Sequence, residues 1–484
     1  TVAVGYAAYN AGTSGIGNVA VGYEALSAAT DADYNTAIGH QALKAQAGQS
    51  GTVGNTAVGH GAGETLTTSI NITALGFEAL SGATTEADGN TAIGFQSMDG
   101  NWTTAAHVNS VAVGFKTMRG ALTSASSNTV AIGANALNAL TSGGGNIAVG
   151  FEAGLLITDN TDNTIIGHQA FNASDSGDSE NVVIGSNAGG AINHGSSDGN
   201  VLIGLSAGLG GTGAIANCVA IGKNAMKTTA GNSHTGIVAI GHSALTALTS
   251  GIDNTAVGYQ AGLAINTGTQ NTALGVGALA VTDDGVSNTA IGAYSMGVGN
   301  AGNYNVAVGS QCLVDVTGNS NVALGFQSLF DLTSGANNIA IGQWSAKAMH
   351  VGESGNIALG SEAMSLADEG TAGGDIDNNI AIGVQAFQSG DLAGNDRQVV
   401  GNIAIGYRAV RGTITNAQTG TIGIGHEALT ALTSGDRNMA IGYQALKSIT
   451  EAADNLAIGY GALTTSTNVS AARNIAIGNY ALEL

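Results

Sequence analysis

Apolar and polar positions along this chain follow one short phrase. Asn438 to Leu446 reads NMAIGYQAL, and the same nine residues return as NVAVGYEAL from Asn18, NTAIGHQAL from Asn35, NVALGFQSL from Asn321 and NLAIGYGAL from Asn455. Within the phrase the apolar residues alternate with period two and are bounded by Asn, Gly and Ser clusters, which predicts a strand and not a helix. Met439 and Ile441 face one way and Ala440 the other. The Ile441 position holds Ile, Val or Leu in all 27 copies, as expected of a buried ladder inside a coil. The Ala440 position departs from Ala at Ile165, Val183, Leu202 and Gly423, and its small size predicts another backbone lying close on that side.

The glycine of the phrase, Gly442 here, recurs 27 times from Gly5 to Gly478, in steps of about 18 residues. A fixed period in this range marks a solenoid or an array, in which each unit contacts only its neighbours. The chain therefore reads as a single continuous β-solenoid over residues 1–484 rather than the three domains its length suggests. Near duplicates, ALNALTSGG from Ala136, ALTALTSGI from Ala244 and ALTALTSGD from Ala428, define the connecting half of the unit as AL, two residues, LTSG. Longer steps place their extra residues after the AL, which maps them to loops on one face or edge. The two longest steps, 23 residues each, follow one another through SLADEGTAGGDIDNN and QSGDLAGNDRQVVG.

Two further columns stand out. Asn occupies the Asn438 position in 20 of 27 copies, and at Ile72, Ser110, Thr129 and Cys218 the preceding residue is Asn instead. Asn tolerates left-handed turns and bonds its own backbone, so a ladder of Asn turns is expected. The residue after the glycine is Tyr, Phe or His in 16 copies, including Tyr407, Tyr443 and Tyr460, and rings stacked rung over rung would stabilise the array as cross-strand pairs do. The same stripe is a candidate sugar-binding surface.

Composition narrows the function classes. Glycine is 77 of 484 residues, aromatics are 4% and proline is absent, which leaves no conventional globular core and suits a chain of paired strands and tight turns. Twelve basic against 33 acidic residues disfavour nucleic acid as a partner, since binding it relies on Lys and Arg. Cys218 and Cys312 lie five repeats apart, roughly 24 Å at one strand spacing per repeat, so buried free thiols are expected. No apolar run reaches the length of a membrane helix, and no signal peptide is visible, so no membrane insertion by this segment is expected. Thr1 enters mid-repeat and Leu484 ends two residues beyond an AL, as expected of a segment cut from a longer polypeptide.

Strings that invite chemistry fall in register with the repeat. GLSAG at Gly204–Gly208 matches a nucleophile elbow, but Leu205 and Ser206 occupy the variable slots of the phrase. GLGGTG at Gly208–Gly213 has no helix signal after it. DADYN from Asp31, TDNTDN from Thr158 and DIDNN from Asp375 offer oxygen ligands without the EF-hand spacing and read as surface loops. The five in-register histidines are mostly not on successive rungs, which argues against zinc. Sequons stand at Asn71, Asn101, Asn172 and Asn468. No catalytic residue, cofactor or metal site is expected, and the chain reads as not an enzyme. The residues that matter are structural: Asn438, Ala440, Ile441 and Gly442.

SVAVGFKTM from Ser110 and TVAIGANAL from Thr129 resemble the SVAIG repeats of YadA-type adhesin heads, and NTAVGYQA from Asn254 resembles repeats of bacteriophage tail fibres. The resemblance covers essentially the whole chain, although the coil here is longer than in the adhesin heads. It implies an all-β, left-handed parallel β-roll, about 27 coils in a homotrimeric rod of roughly 130 Å. The small Ala row is a candidate face for neighbouring chains. The function implied is a tail-fibre or adhesin shaft, extracellular on a virion or cell surface, with self as partner and a host-surface glycan or protein as target. A trimeric autotransporter head is the alternative within that class, and a polysaccharide-cleaving tailspike the alternative outside it, though no in-register carboxylate pair stands out. Ice binding through threonine rows is set aside, because Thr36, Thr56 and Thr91 are not expected to persist into the following rungs.

Overall fold

The structure is a computed structural model that describes residues 1–47, 50–83, 86–102, 106–174, 176–228, 231–365, 375–388, 398–412, 417–464 and 472–483. It is an all-β parallel β-solenoid. Each copy of the phrase forms a three-residue strand, such as Met439–Ile441, and among the described residues the one helical element is a short 3-10 turn, Ser124–Ser126. The residues group into two compact units, 1–243 with 248–250 and 244–247 with 251–484. In the first, 14 strands from Val2–Val4 to Val238–Ile240 pair in sequence order, and in the second 13 strands from Thr255–Val257 to Ile475–Ile477 do the same. Pairing is parallel and in register, so Met439, Ala440 and Ile441 lie beside Leu456, Ala457 and Ile458.

The core is thin. In the turn that begins at Asn438 the interior consists of Asn438, Ala440, Ala445, Leu446, Ile449 and Ala452, all at most 3% exposed. Ala440 is therefore inside, and Met439 and Ile441 lie half-exposed on the outer face of the sheet. This reverses the expected assignment of faces for Ile441 and Ala440. Alternation separates two faces without saying which is interior, and a coil of about 17 residues is too narrow to take two branched side chains per strand as well as Leu446 and Ile449. The Ala row, enclosed in each coil, is not a face for neighbouring chains. Register corrects the threonine expectation too: Thr36, Thr56, Thr73 and Thr91 occupy four consecutive rungs before Val111 ends the run.

Gly442 ends the strand at φ 138°, outside the range of residues with a Cβ, and a Cβ there would overlap the carbonyl oxygen of Gly459 one turn on. Beyond it Gln444 and Leu446 adopt left-handed φ of 54° and 52°. Each such residue costs about 1 kcal/mol or more. Hydrogen bonds to both neighbours hold the shape: the Gln444 amide donates back to His426 O at 2.9 Å, and the Leu446 amide donates forward to Ala462 O at 3.0 Å. Burial of the Leu446 side chain offsets the strain by roughly 2 kcal/mol.

The Asn column is buried and bonded between turns. Asn438 Nδ2 donates to Gly435 O and Ala452 O, and its Oδ1 accepts from both the backbone amide and Nδ2 of Asn455. The left-handed residue is the one before it, Arg437 with φ 57°. Where the column holds Ile72, Ser110, Thr129 or Cys218, the preceding Asn71, Asn109, Asn128 and Asn217 take φ of 54–60°. The left-handed explanation thus applies to those four asparagines, and side-chain hydrogen bonding explains the ladder.

Short parallel sheets lie beside the main one, formed by Ala32–Asp33 with Gly51–Thr52, by Ile215–Ala216 with His234–Thr235, and by Asp375–Asp377, Gln398–Val400 and Gln418–Thr419. The two longest connections lie largely outside the described residues.

Candidate functional site

Because every turn repeats the last, the surface consists of files of like residues. The outer face of the sheet carries two largely aliphatic files, the Ile441 position, which is Ile, Val or Leu throughout, and the Met439 position, which is apolar in 19 copies and Thr in eight. Within them Ile38, Leu75, Ile132, Ile147, Leu274, Leu324, Ile339 and Ile341 are each 36–45% exposed. Together the two files present on the order of 1,000 Å² of apolar surface in each unit, above the few hundred Å² of a contiguous patch on a typical soluble monomer. Sequence reasoning missed this surface by placing the Ile441 row inside. The signal that would have found it is the second column, Met439, which is as apolar as the first in most copies.

The residue after the glycine forms a ring file. Tyr407, Tyr443 and Tyr460, proposed as a stripe, are brought together with His426 between the first two: centroids are 5.1, 5.0 and 4.9 Å apart in sequence, and the rings are 38–44% exposed where tyrosine. A longer file runs Tyr6, Tyr23, His40, His60, Phe77, Phe95, Phe115 at 4.8–5.3 Å. His40 and His60 are on successive rungs and lie parallel within 3°, so their ring nitrogens do not converge on a common point.

Two polar files flank the rings, two and five residues after the glycine. Gln444 Nε2 and Lys447 Nζ both reach Glu427 Oε2, at 2.8 and 2.7 Å, and the Lys447 hydrogen bond is the main cause that holds the Glu427 carboxyl below its ordinary range. Glu24, Gln41 and Lys44 repeat the arrangement, with the Gln41 hydrogen bond lowering Glu24 most. At Trp344 the file changes. The indole Nε1 donates to Gln327 Oε1 at 3.0 Å, and a cleft of about 340 Å³ opens between Trp344, Lys347, Glu362, Ser365 and Gln388.

The motifs that invited catalysis fall into the same pattern. Ser206 sits in the Gln444 slot at φ 54°, after the strand Val201–Ile203, and its amide bonds Ser186 O at 3.0 Å. The segment that follows is turn and not the helix an elbow requires. Acidic loops bond neighbouring turns: Asp31 accepts from Thr13 and Ser14, Asp33 from the Ile16 amide and Asp377 from the Ser354 amide, all in the preceding turn, and Asp159 from the Gly177 amide in the following one. Among the described residues no group of three or more His, Cys, Asp or Glu side chains is placed to hold a metal ion, and no helix is long and apolar enough to cross a membrane. Cys218 and Cys312 are free and buried, as the spacing predicts, and burial pushes the Cys218 thiol up to about 11. The sequon at Asn468 lies outside the described residues.

No protein-family model matches the chain, and no curated protein matches it.

Proposed function

We propose that this chain is the shaft of a homotrimeric surface fibre, a left-handed solenoid of about 27 coils that holds an attachment element away from its base. A bacteriophage tail fibre is the leading form, extracellular and non-enzymatic, with a host-surface glycan or protein as target. The observation that carries the reading is the pair of outward aliphatic files. Their area is comparable with the roughly 800 Å² that each partner contributes to a stable interface. In a lone chain those files would be a standing aggregation site; in a bundle of three they pack against one another and leave the polar files and rings in water. The resemblance of the phrase to adhesin-head and tail-fibre repeats supports the stoichiometry.

Light scattering on the purified chain tests the reading. A mass three times that of the chain is expected, and a wild-type monomer at micromolar concentration overturns it. Ile424→Lys, Ile441→Lys and Ile458→Lys together place three charges on consecutive rungs of one file. That variant should run as a monomer while its circular dichroism stays that of a β-solenoid.

A further inference from the structure

The polar files are closed rung to rung almost wherever long side chains meet, and they open beside Trp344. Gln311, Gln327 and Trp344 are linked by amide and indole donors at 2.9 and 3.0 Å. Glu362, Gln385 and Arg408 form the next linked run, at 2.9 and 2.8 Å. Trp344 is thus committed to the turn before it and Glu362 to the turn after it. Between them lies the cleft of about 340 Å³, with Lys347, Ser365 and Gln388 completing its wall.

Its polar groups are held in place. Glu362 Oε2 accepts from Gln385 Nε2 and from Gln388 Nε2 at 3.1 Å, while Gln388 Oε1 accepts from Arg411 Nε at 3.0 Å. A carboxylate has about four lone-pair sites, so Glu362 keeps acceptor capacity beyond these two bonds. Lys347 Nζ lies 5.7 Å from the Phe330 ring centroid, at the side of the cleft. An indole and a fixed carboxylate lining one cleft with amide, hydroxyl and ammonium groups form a set that suits a ligand with one apolar face and an edge of hydroxyls. The volume is at the lower end for small-molecule sites.

We infer that this cleft binds a neutral pyranose, whose C–H face lies on Trp344 and whose hydroxyls bond Glu362, Gln388 and Lys347. An acidic sugar is disfavoured by Glu362 and by a chain of net charge −21. The inference rests on the surface-fibre reading for its biological setting, and it adds a contact on the flank of the shaft to any at a tip.

The chain has two tryptophans, and Trp102 is 3% exposed, so fluorescence changes on adding a small sugar report on Trp344. Titration of the full chain with a panel of neutral methyl pyranosides should give a saturable change for at least one. Binding followed by saturation-transfer NMR should weaken about tenfold or more in Trp344→Ala and several-fold in Glu362→Gln, and stay unchanged in Tyr443→Ala. The absence of a saturable response across the panel overturns the inference, as does binding that survives Trp344→Ala and is lost in Tyr443→Ala. Scattering mass on the same sample separates the two readings. A trimer that binds no sugar removes the cleft alone, and a monomer that binds one removes the assembly alone.

Discussion

Two kinds of turn share one strand phrase and differ at a single corner, the position three residues before the Asn column. Between Gly258 and Gly342 the steps are 16 or 17 residues, and the corner is Gly268, Gly285, Gly302, Gly318 and Gly335 in succession. There the chain runs against the next turn: a Cβ on Gly302 would lie 2.5 Å from Gly318 O, and one on Gly318 would overlap Gly335 O. In steps of 18 to 20 residues the corner instead carries a buried side chain, as at His107, Ser126, Asp178, Ser197, Ile215, His234, Glu353 and Gln418. Ala32, Ser69, Asn160 and Ala452, in 17-residue steps, and Thr52, exposed in a 20-residue step, are the departures among the described residues. One to three extra residues move the chain outward, and the space is filled by a side chain or by a second short sheet. The repeat is thus defined by backbone constraints at the strand, the glycine and the left-handed positions, and its corner is adjustable.

The largest effect is expected where a side chain is forced on the tight corner without added length. Gly318→Val should lower stability by about 4 kcal/mol or more, read as a shift in the urea midpoint of the second unit, because backbone and not a flexible side chain stands in its way. Adding two residues after Val314 in the same variant should restore part of the loss. If it restores none, step length and corner size are not coupled. Next comes the column common to both kinds of turn. Asn438→Ala removes four hydrogen bonds and leaves the Asn455 amide and the Ala452 carbonyl without partners, a loss of about 3 kcal/mol. Asn438→Ser should lose about half as much, since Ser110 Oγ already accepts the Thr129 amide at 3.1 Å in a longer turn.

These features were unequally legible in the sequence. Periodicity and the glycine column could be read directly, because a φ near 138° and a stacked backbone admit nothing else at Gly442, while parallel pairing was implied by the resemblance to adhesin-head repeats. Juxtaposition of Tyr407, Tyr443 and Tyr460 followed from register, though His426 was needed to make the file continuous. The inside of the coil could not be read, since Ala440 and Ile441 are both apolar and only the narrowness of the turn decides between them. The corner escaped notice because its residues look unrelated until they are ordered by step length. The Trp344 cleft depends on which way an indole hydrogen bonds, and no spacing in the sequence encodes that.

The filled corner brings a pH dependence that the glycine corner lacks. His107 Nδ1 lies 2.8 Å from Ser126 Oγ, whose hydroxyl donates to Thr123 O at 2.6 Å, so Nδ1 carries the proton and Nε2 faces the interior without a partner. Burial lowers the imidazole from 6.5 to about 4. Between those values the unfolded chain binds a proton that the folded chain does not. Stability is therefore complete above pH 6.5 and declines as pH falls toward 4, by at most about 3 kcal/mol for this group. Urea titrations of wild type and His107→Asn at pH 7 and pH 4.5 isolate it. The wild type should lose more than the variant by up to about 2.5 kcal/mol, and equal losses would mean that His107 titrates normally.

The smallest effect is expected in the ring file. Glycine-cornered turns hold Val276, Ala293 and Ser310 in the ring position and pair no less regularly for it, as Thr289 to Ile291 against Val306 to Val308 shows. Stacking therefore adds to a coil that backbone bonding already closes. Tyr443 packs against His426 and Tyr460 at 5.0 and 4.9 Å while 39% exposed, so Tyr443→Ser should lower stability by about 1 kcal/mol, with the strand pairing of Met439–Ile441 retained in hydrogen exchange. A loss as large as that of Asn438→Ala would make the rings an organising force. The Val276 to Ser310 turns would then need some other support that the ringed turns lack.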